Sequence, residues 1–325
     1  MTERKVTVTD DWTYREIRTI ILENEYLKLT VFPEIGAKIY DLIYKPQQKN
    51  LLWHNPRIPP MKVPFGAAFD DVWSGGWDEI FPNDAPCNFG GERYPDMGEV
   101  WSIPWNYSVF KPEEGSESVT LVTSVTTPIT PCRLTRTLTL KEGERSIHLG
   151  YSLENLSNDS LKFLWKLHPA LAINETCSIE IPASKGIIDP RYRHLYSETS
   201  AEYSWPNAIA RDEKRINISR IPPATEHSCS LHYVTDLQDG VVKFRNPRDN
   251  LDATFKFPKE IFTSVWLFLA YGGYRSLYTA VIEPSTSYPY DLAQAIKEGK
   301  FSLLKPDSKL KCNIHVELNT HSDSL

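Results

Sequence analysis

The stretch Leu134-Thr-Arg-Thr-Leu-Thr-Leu140, Lys141-Glu-Gly-Glu-Arg145, Ser146-Ile-His-Leu-Gly-Tyr-Ser-Leu-Glu-Asn155 decides the fold class. Leu134, Leu138 and Leu140, then Ile147, Leu149, Tyr151 and Leu153, alternate with polar residues, which is the period of a strand with one buried face. Between the two runs lies a glycine flanked by charges, so the stretch reads as a β-hairpin. The same pattern recurs on both sides. Residues 161–168, Leu-Lys-Phe-Leu-Trp-Lys-Leu-His, form a further run after a turn at 155–159. Residues 265–269, 277–282, 301–304 and 313–318 continue it towards the C-terminus, and 27–32 with 37–44 make another hairpin across Pro33-Glu-Ile-Gly36.

One stretch reads as helix: Asp291 can cap its first turn, Leu292, Ala295 and Ile296 share a face, and Gly299 can end it. Twenty-four prolines and 15 glycines suit many strands joined by turns. No repeat, low-complexity tract or linker divides the chain. The expectation is a single all-β domain over residues 1–325, a large, mostly antiparallel β-sandwich with few short helices. Residues 53–107 are expected as loops crossing one face, and a loop region of that length is usually a binding surface.

Composition narrows the function. The 325 residues are 41% hydrophobic and 24% charged, ordinary values for a globular chain. A formal net charge of −6 and the lack of a basic, aromatic-interleaved stripe argue against a nucleic-acid partner. The longest apolar run, 265–271, is far short of the roughly 20 residues that span a bilayer, so no membrane partner is expected. The start Met-Thr-Glu-Arg-Lys leads to Asp10 and Asp11 without an apolar segment, which points to a cytoplasmic location. Cys87, Cys132, Cys177, Cys229 and Cys312 are odd in number and widely spaced, which suits reduced thiols rather than disulfides or a metal cluster. No cofactor or metal is expected: nucleotide-binding glycine motifs, a nucleophile elbow and His-Glu-x-x-His are all missing.

Glycine, tryptophan and acidic residues concentrate in Ser74-Gly-Gly-Trp-Asp-Glu-Ile-Phe-Pro-Asn83 and Pro95-Asp-Met-Gly-Glu-Val-Trp101. Flat apolar rings suit the C–H face of a sugar, and carboxylates accept from its hydroxyls. Trp77, Asp78, Glu79, Glu99 and Trp101 are therefore candidate substrate-binding residues; a surface loop pinned by buried tryptophans is the plainer alternative. Alternation puts Phe163, Trp165 and Leu167 on one face, and His168, Lys166 and Lys162 on the other. Pro169 is expected to mark where that strand leaves the sheet. Glu283 is expected to close a strand at a polar turn, Pro284-Ser-Thr-Ser287. Arg275, in Tyr271-Gly-Gly-Tyr-Arg275, offers a guanidinium for a hydroxyl or an acidic group.

Taken in order, these pieces resemble a family. Leu134-Thr-Arg-Thr-Leu-Thr-Leu140, Leu149-Gly-Tyr-Ser-Leu-Glu-Asn155 and Phe163-Leu-Trp-Lys-Leu-His-Pro169 look like the middle of an aldose 1-epimerase (galactose mutarotase) domain. Gly272-Gly-Tyr-Arg275, Ile282-Glu-Pro-Ser-Thr286 and Leu304-Lys-Pro-Asp307 look like its end, and Pro33-Glu-Ile-Gly-Ala37 with Leu51-Leu-Trp53 like its start. The resemblance implies the galactose mutarotase-like supersandwich and cofactor-independent interconversion of sugar anomers. It also implies Glu283 as the base at the anomeric hydroxyl and His168 as the acid at the ring oxygen. Lys166 and Arg275 join the substrate-binding set, and a small carbohydrate is the expected partner of a monomer or homodimer.

The chain departs from the family pattern in three places. Met97 stands where many relatives carry a loop histidine. No clear arginine loop occurs around Phe81-Pro-Asn-Asp84, and no acid lies near Leu231-His-Tyr-Val234. A divergent member is the expectation, acting on an unassigned aldose or acidic sugar, with galactose not assumed. Two alternatives stand beside it: a non-catalytic carbohydrate-binding protein on the same fold, and a mutarotase for a phosphorylated, sulfonated or uronic sugar that uses Lys166, Arg93 and Arg275.

Overall fold

The computed structural model describes residues 6–110, 117–198 and 201–320. Two large antiparallel sheets dominate them. The first has twelve strands: its path runs Thr7–Tyr14, Ile17–Glu23, Leu27–Phe32, Lys38–Tyr44, Trp77–Ile80, Lys166–Leu171, Tyr278–Ser285, Ser264–Tyr271, Ser228–Leu237, Ala183–Ile188 and Glu202–Ser204, and Lys49–Asn50 pairs with Lys38–Tyr44 off that path. The second has eight and is built around the expected hairpin, Cys132–Lys141 against Ser146–Asn155, flanked by Ser118–Thr126 and Lys309–Asn319. The all-β expectation holds. So does the late helix, Leu292–Lys297, whose first turn is capped by the Asp291 carboxylate accepting from the Gln294 N–H. No helix among the described residues is long and apolar enough to cross a membrane, and the five cysteines are free thiols.

The main core lies between the sheets, where Trp77, Phe81, Phe163, Trp165, Leu167 and Phe255 pack together. The outer face of the twelve-stranded sheet carries two smaller apolar clusters. One gathers Phe69, Trp73, Ile80, Trp101, Ala170 and Val281, and the other Leu164, Leu231, Tyr233, Trp266 and Leu292. Strand alternation sorts the side chains between these layers: Trp165 and Leu167 go inward, while Lys166, His168 and Ala170 face outward, Ala170 within the first cluster.

Three local expectations are corrected. Residues 53–107 are not all loop, because Trp77–Ile80 enters the centre of the large sheet beside Lys166–Leu171, and a one-turn helix forms at Phe69–Val72. The histidine strand does not leave the sheet at Pro169; it continues to Leu171. Its ladder to Tyr278–Ser285 is interrupted between Lys166 and Ala170, and the missing proline N–H falls within that interruption. Glu283 does not close its strand but sits inside Tyr278–Ser285, because Pro284 and Ser285 still pair with Val265 and Ser264.

Candidate active site

The register of the large sheet assembles the site. Asp78 pairs with His168, Glu283 with Trp266, and Trp266 with Tyr233. The printed pairs Lys166 with Ser285 and Ala170 with Val281 carry the same register through His168 opposite Glu283. One rung therefore crosses five strands in the order Asp78, His168, Glu283, Trp266, Tyr233. Cross-strand neighbours share a face, so all five side chains project to the outer surface. Their sequence positions are far apart, and only the hydrogen-bond ladder brings them together.

A cavity of about 240 Å³ opens over this rung. Lys166, His168, Glu283 and Trp266 line its floor; Phe69, Trp73, Asp96 and Met97 form one wall; Arg191, Tyr192 and Tyr290 form the opposite one. That volume is below the roughly 300 Å³ at the lower end of ordinary small-molecule pockets, so it suits one small ring rather than a polymer. The first wall is shaped by Gly75, with φ of +82°. A Cβ there would lie 2.2 Å from the Trp53 carbonyl oxygen, so the loop can turn Trp73 towards the cavity only with glycine at this position. Phe69 and Trp73 then meet the His168 ring edge-on, with centroids 5.5 and 5.6 Å away.

Electrostatics distinguish the three ionisable groups of the floor. Lys166 is almost completely buried. Its Nζ lies 2.5 Å from Glu283 Oε2, contacts the Asp84 carboxylate as well, and sits 4.6 Å from the Trp266 ring centroid. Burial alone would favour the neutral amine, but Asp84 and Glu283 outweigh it and hold the Lys166 pKa above its ordinary value. Glu283 is pushed up to about 7. Burial is the main cause, with Lys166 opposing it and Asp84 adding to it. His168 is driven well below the ordinary histidine value by burial, and further by Lys166 and Lys38. Its Nδ1 is buried with no hydrogen-bond partner among the described residues.

The other candidate residues lie elsewhere. Trp77 is fully buried between the sheets against Phe255. Glu79 alternates with Asp78, so it too points inward; there it pairs with Arg136 and accepts from Tyr151 and Trp165. Glu99 accepts from the Ile129 and Thr130 N–H groups and the Thr130 hydroxyl, tying down a turn. Trp101 stands one ring behind the wall, edge-on to Phe69, and donates to the Asp96 carbonyl. Asp78 belongs to the rung but is engaged by Lys38 at 2.8 Å. Arg275 braces the rim from outside, paired with Asp71 and donating to the Asp70 carbonyl. Of the nine candidates, His168, Glu283 and Lys166 line the cavity.

Sequence reading missed Asp84, Asp96, Phe69, Trp73, Trp266 and Arg191. Trp266 was reachable, since it alternates in Val265-Trp-Leu-Phe-Leu269, a strand that precedes the glutamate strand by one turn. Arg191 gave no signal. It lies in the short 3-10 helix Pro190–Leu195, where it bonds to Asp189 and stacks 3.6 Å over Tyr290. Met97, at the place of the family's loop histidine, has φ of 57° and donates its N–H to the Asp84 carbonyl, linking two loops at the cavity edge.

No family model matches the chain. Solved structures do match it over nearly its whole length. A candidate aldose 1-epimerase from Klebsiella pneumoniae superposes with a TM-score of 0.76 at 13% identity, covering 98% of this chain and 84% of that one. The Slr1438 protein from Synechocystis sp. PCC 6803 gives 0.68 at 17% identity, over 96% and 99%. A galactose mutarotase-like protein from Clostridium acetobutylicum gives 0.66 at 13%, over 98% and 100%. Identities this low speak to architecture alone: the chain has the galactose mutarotase-like fold.

Proposed function

We propose that this protein interconverts the anomers of a small aldose without a cofactor, using His168 and Glu283 as an acid–base pair. The observation that supports the reading is that both side chains line one ring-sized cavity, side by side on adjacent strands. Ring opening needs one proton delivered to the ring oxygen while another leaves the anomeric hydroxyl; the C1–O5 bond breaks and an open-chain aldehyde forms. Rotation about C1–C2 and closure, with both transfers reversed, give the other anomer. The two groups must hold one proton between them.

The electrostatics favour a particular starting state. Imidazolium is disfavoured by burial and by two lysines, while Glu283 keeps its proton up to about pH 7. The proton therefore begins on Glu283, with His168 neutral and ready to accept. These starting roles are the reverse of those the family resemblance implies, and the same reaction runs from either side.

The test is saturation-exchange NMR between anomers over a panel of neutral, amino, phosphorylated and uronic sugars. Exchange above the spontaneous rate for one class, lost in Glu283→Gln, is the expected result. Saturable binding with no accelerated exchange for any sugar would leave a carbohydrate-binding protein instead. The anionic-sugar variant finds little support. Lys166 and Arg275 are already paired with carboxylates, and Arg93 is not part of the cavity wall.

A further inference from the structure

The cavity is rich in acidic side chains. Four carboxyl groups line it, those of Asp70, Asp84, Asp96 and Glu283; Glu283 keeps its proton up to about pH 7, so three carboxylates stand against two cations, Lys166 and Arg191. Both cations are already engaged: Lys166 by Asp84 and Glu283, Arg191 by Asp189 beneath the wall. The nearby cations outside the lining are engaged as well, Lys38 by Asp78 and Arg275 by Asp71. Asp70 accepts from the Tyr274 hydroxyl and has Arg275 as a neighbour.

Asp96 differs from the other three carboxylates. It is half-buried, its Oδ2 accepts from the Phe69 N–H at 2.9 Å, and among the described residues no ion pair is formed with it. Burial raises its pKa, with Asp70 and Asp84 adding to the effect. A cation arriving beside Asp96 would relieve that repulsion. The surrounding surface is also suited to a cation, since Phe69, Trp73, Trp266 and Tyr274 present aromatic rings to the cavity. His168, whose buried Nδ1 has no hydrogen-bond partner among the described residues, lines the same cavity, an observation independent of the acids.

Resting on the proposed sugar site, we infer that the substrate is an amino sugar, whose ammonium group is received by Asp96 at the cavity wall while its ring lies over His168 and Glu283. A neutral hydroxyl in the same place makes an ordinary hydrogen bond to the carboxylate, whereas an ammonium makes a charge-assisted one and neutralises a local excess. A phosphate or carboxylate on the sugar meets the same excess with the wrong sign. The inference narrows the sugar by its charge, not by the configuration of its ring carbons.

The test compares binding, by calorimetry at pH 7 and low salt, of 2-amino, 4-amino and 6-amino hexoses with their hydroxyl parents, N-acetyl derivatives and the corresponding uronates. At least one amine is expected to bind about tenfold more tightly than its parent and its N-acetyl form. Added salt should shrink that advantage, and Asp96→Asn should abolish it. Asparagine keeps an oxygen to accept from the Phe69 N–H, so the wall retains its shape; Asp70→Asn serves as a second variant with a smaller expected effect. No advantage for any amine, or tighter binding of a uronate, overturns the inference. Accelerated exchange of a neutral sugar without an amine preference would overturn it yet leave the anomerase reading intact. Amine-selective binding without any exchange would do the reverse.

Discussion

Replacing Lys166 with methionine tests the electrostatic logic of the cavity most directly. The substitution keeps much of the side-chain volume over Trp266 but removes the ammonium between Asp84 and Glu283. Two unit charges about 3 Å apart at an effective dielectric of about 20 interact by about 5 kcal/mol, or about four pK units, as an upper bound. Relaxation and water entry will reduce this, so an upward shift of at least about one unit is expected for Glu283. The sign follows from the charge: without the cation the carboxylate is less stable, and the proton is retained to higher pH. Since the acid–base pair needs one proton, wild-type exchange corrected for the spontaneous rate should fall as pH rises through about 7. In Lys166→Met that falling limb should move upward by one unit or more. The assay is kcat/KM for anomer exchange from pH 5 to 9. An unmoved or lowered midpoint in a folded variant refutes the reasoning. Because two facing carboxylates without a counter-ion destabilise the fold, Lys166→Met with Asp84→Asn provides a second variant. Its shift should be smaller but of the same sign, since Asp84 also raises the Glu283 pKa.

Other expectations are independent of that one. His168→Asn should lower exchange by about 100-fold or more, and in the wild type no separate limb near pH 6.5 should appear, because burial and two lysines keep the imidazole neutral. The raised Glu283 pKa also acts on stability. The folded chain keeps a proton that the unfolded chain releases between pH 4.5 and about 7, so this contribution is complete at low pH and lost as pH rises through 7. Its size is on the order of 3 kcal/mol, and Glu283→Gln should flatten the urea-unfolding profile in that window. Glu79→Ala should destabilise by about 3–5 kcal/mol, since it strands Arg136 between the sheets. Sugar affinity of the folded Glu79 variant should be unchanged, as measured by calorimetry. Arg275→Ala should raise KM a few-fold with kcat retained, because the residue braces the rim and does not line the cavity.

Much of the fold was legible because alternation reports directly which face is buried. The hairpin at 132–155, the histidine strand and the capped late helix all follow from local pattern. Trp77–Ile80 was harder to read, because in Trp-Asp-Glu-Ile all four residues are buried: two face the main core and two the outer clusters. With no wet face, the strand shows no polar–apolar alternation and reads as part of a loop. The same segment misdirected the site reading. Trp77 and Glu79 have the composition of a sugar site, yet parity along the strand sends them between the sheets and leaves Asp78 on the rung. His168 and Glu283 could be singled out but not placed together, since their proximity is a matter of register between strands about 110 residues apart. Asp96 and Arg191 depend on loop paths and long-range partners, which leave no periodic trace.

The rung itself has a consequence for how such proteins diverge. Its five side chains are spaced by strand separation, a length fixed by peptide hydrogen bonds and indifferent to what lies between the segments in sequence. Connections can therefore lengthen, shorten or lose every recognisable motif while the floor of the cavity remains a constant. The walls have no such anchor. Phe69, Trp73, Asp96 and Arg191 hang from turns outside the large sheet, so they can be exchanged one ligand preference at a time. In this architecture the strands then set the floor and the loops set the ligand preference. A chain can share only 13% identity with a structural counterpart and still have the same fold.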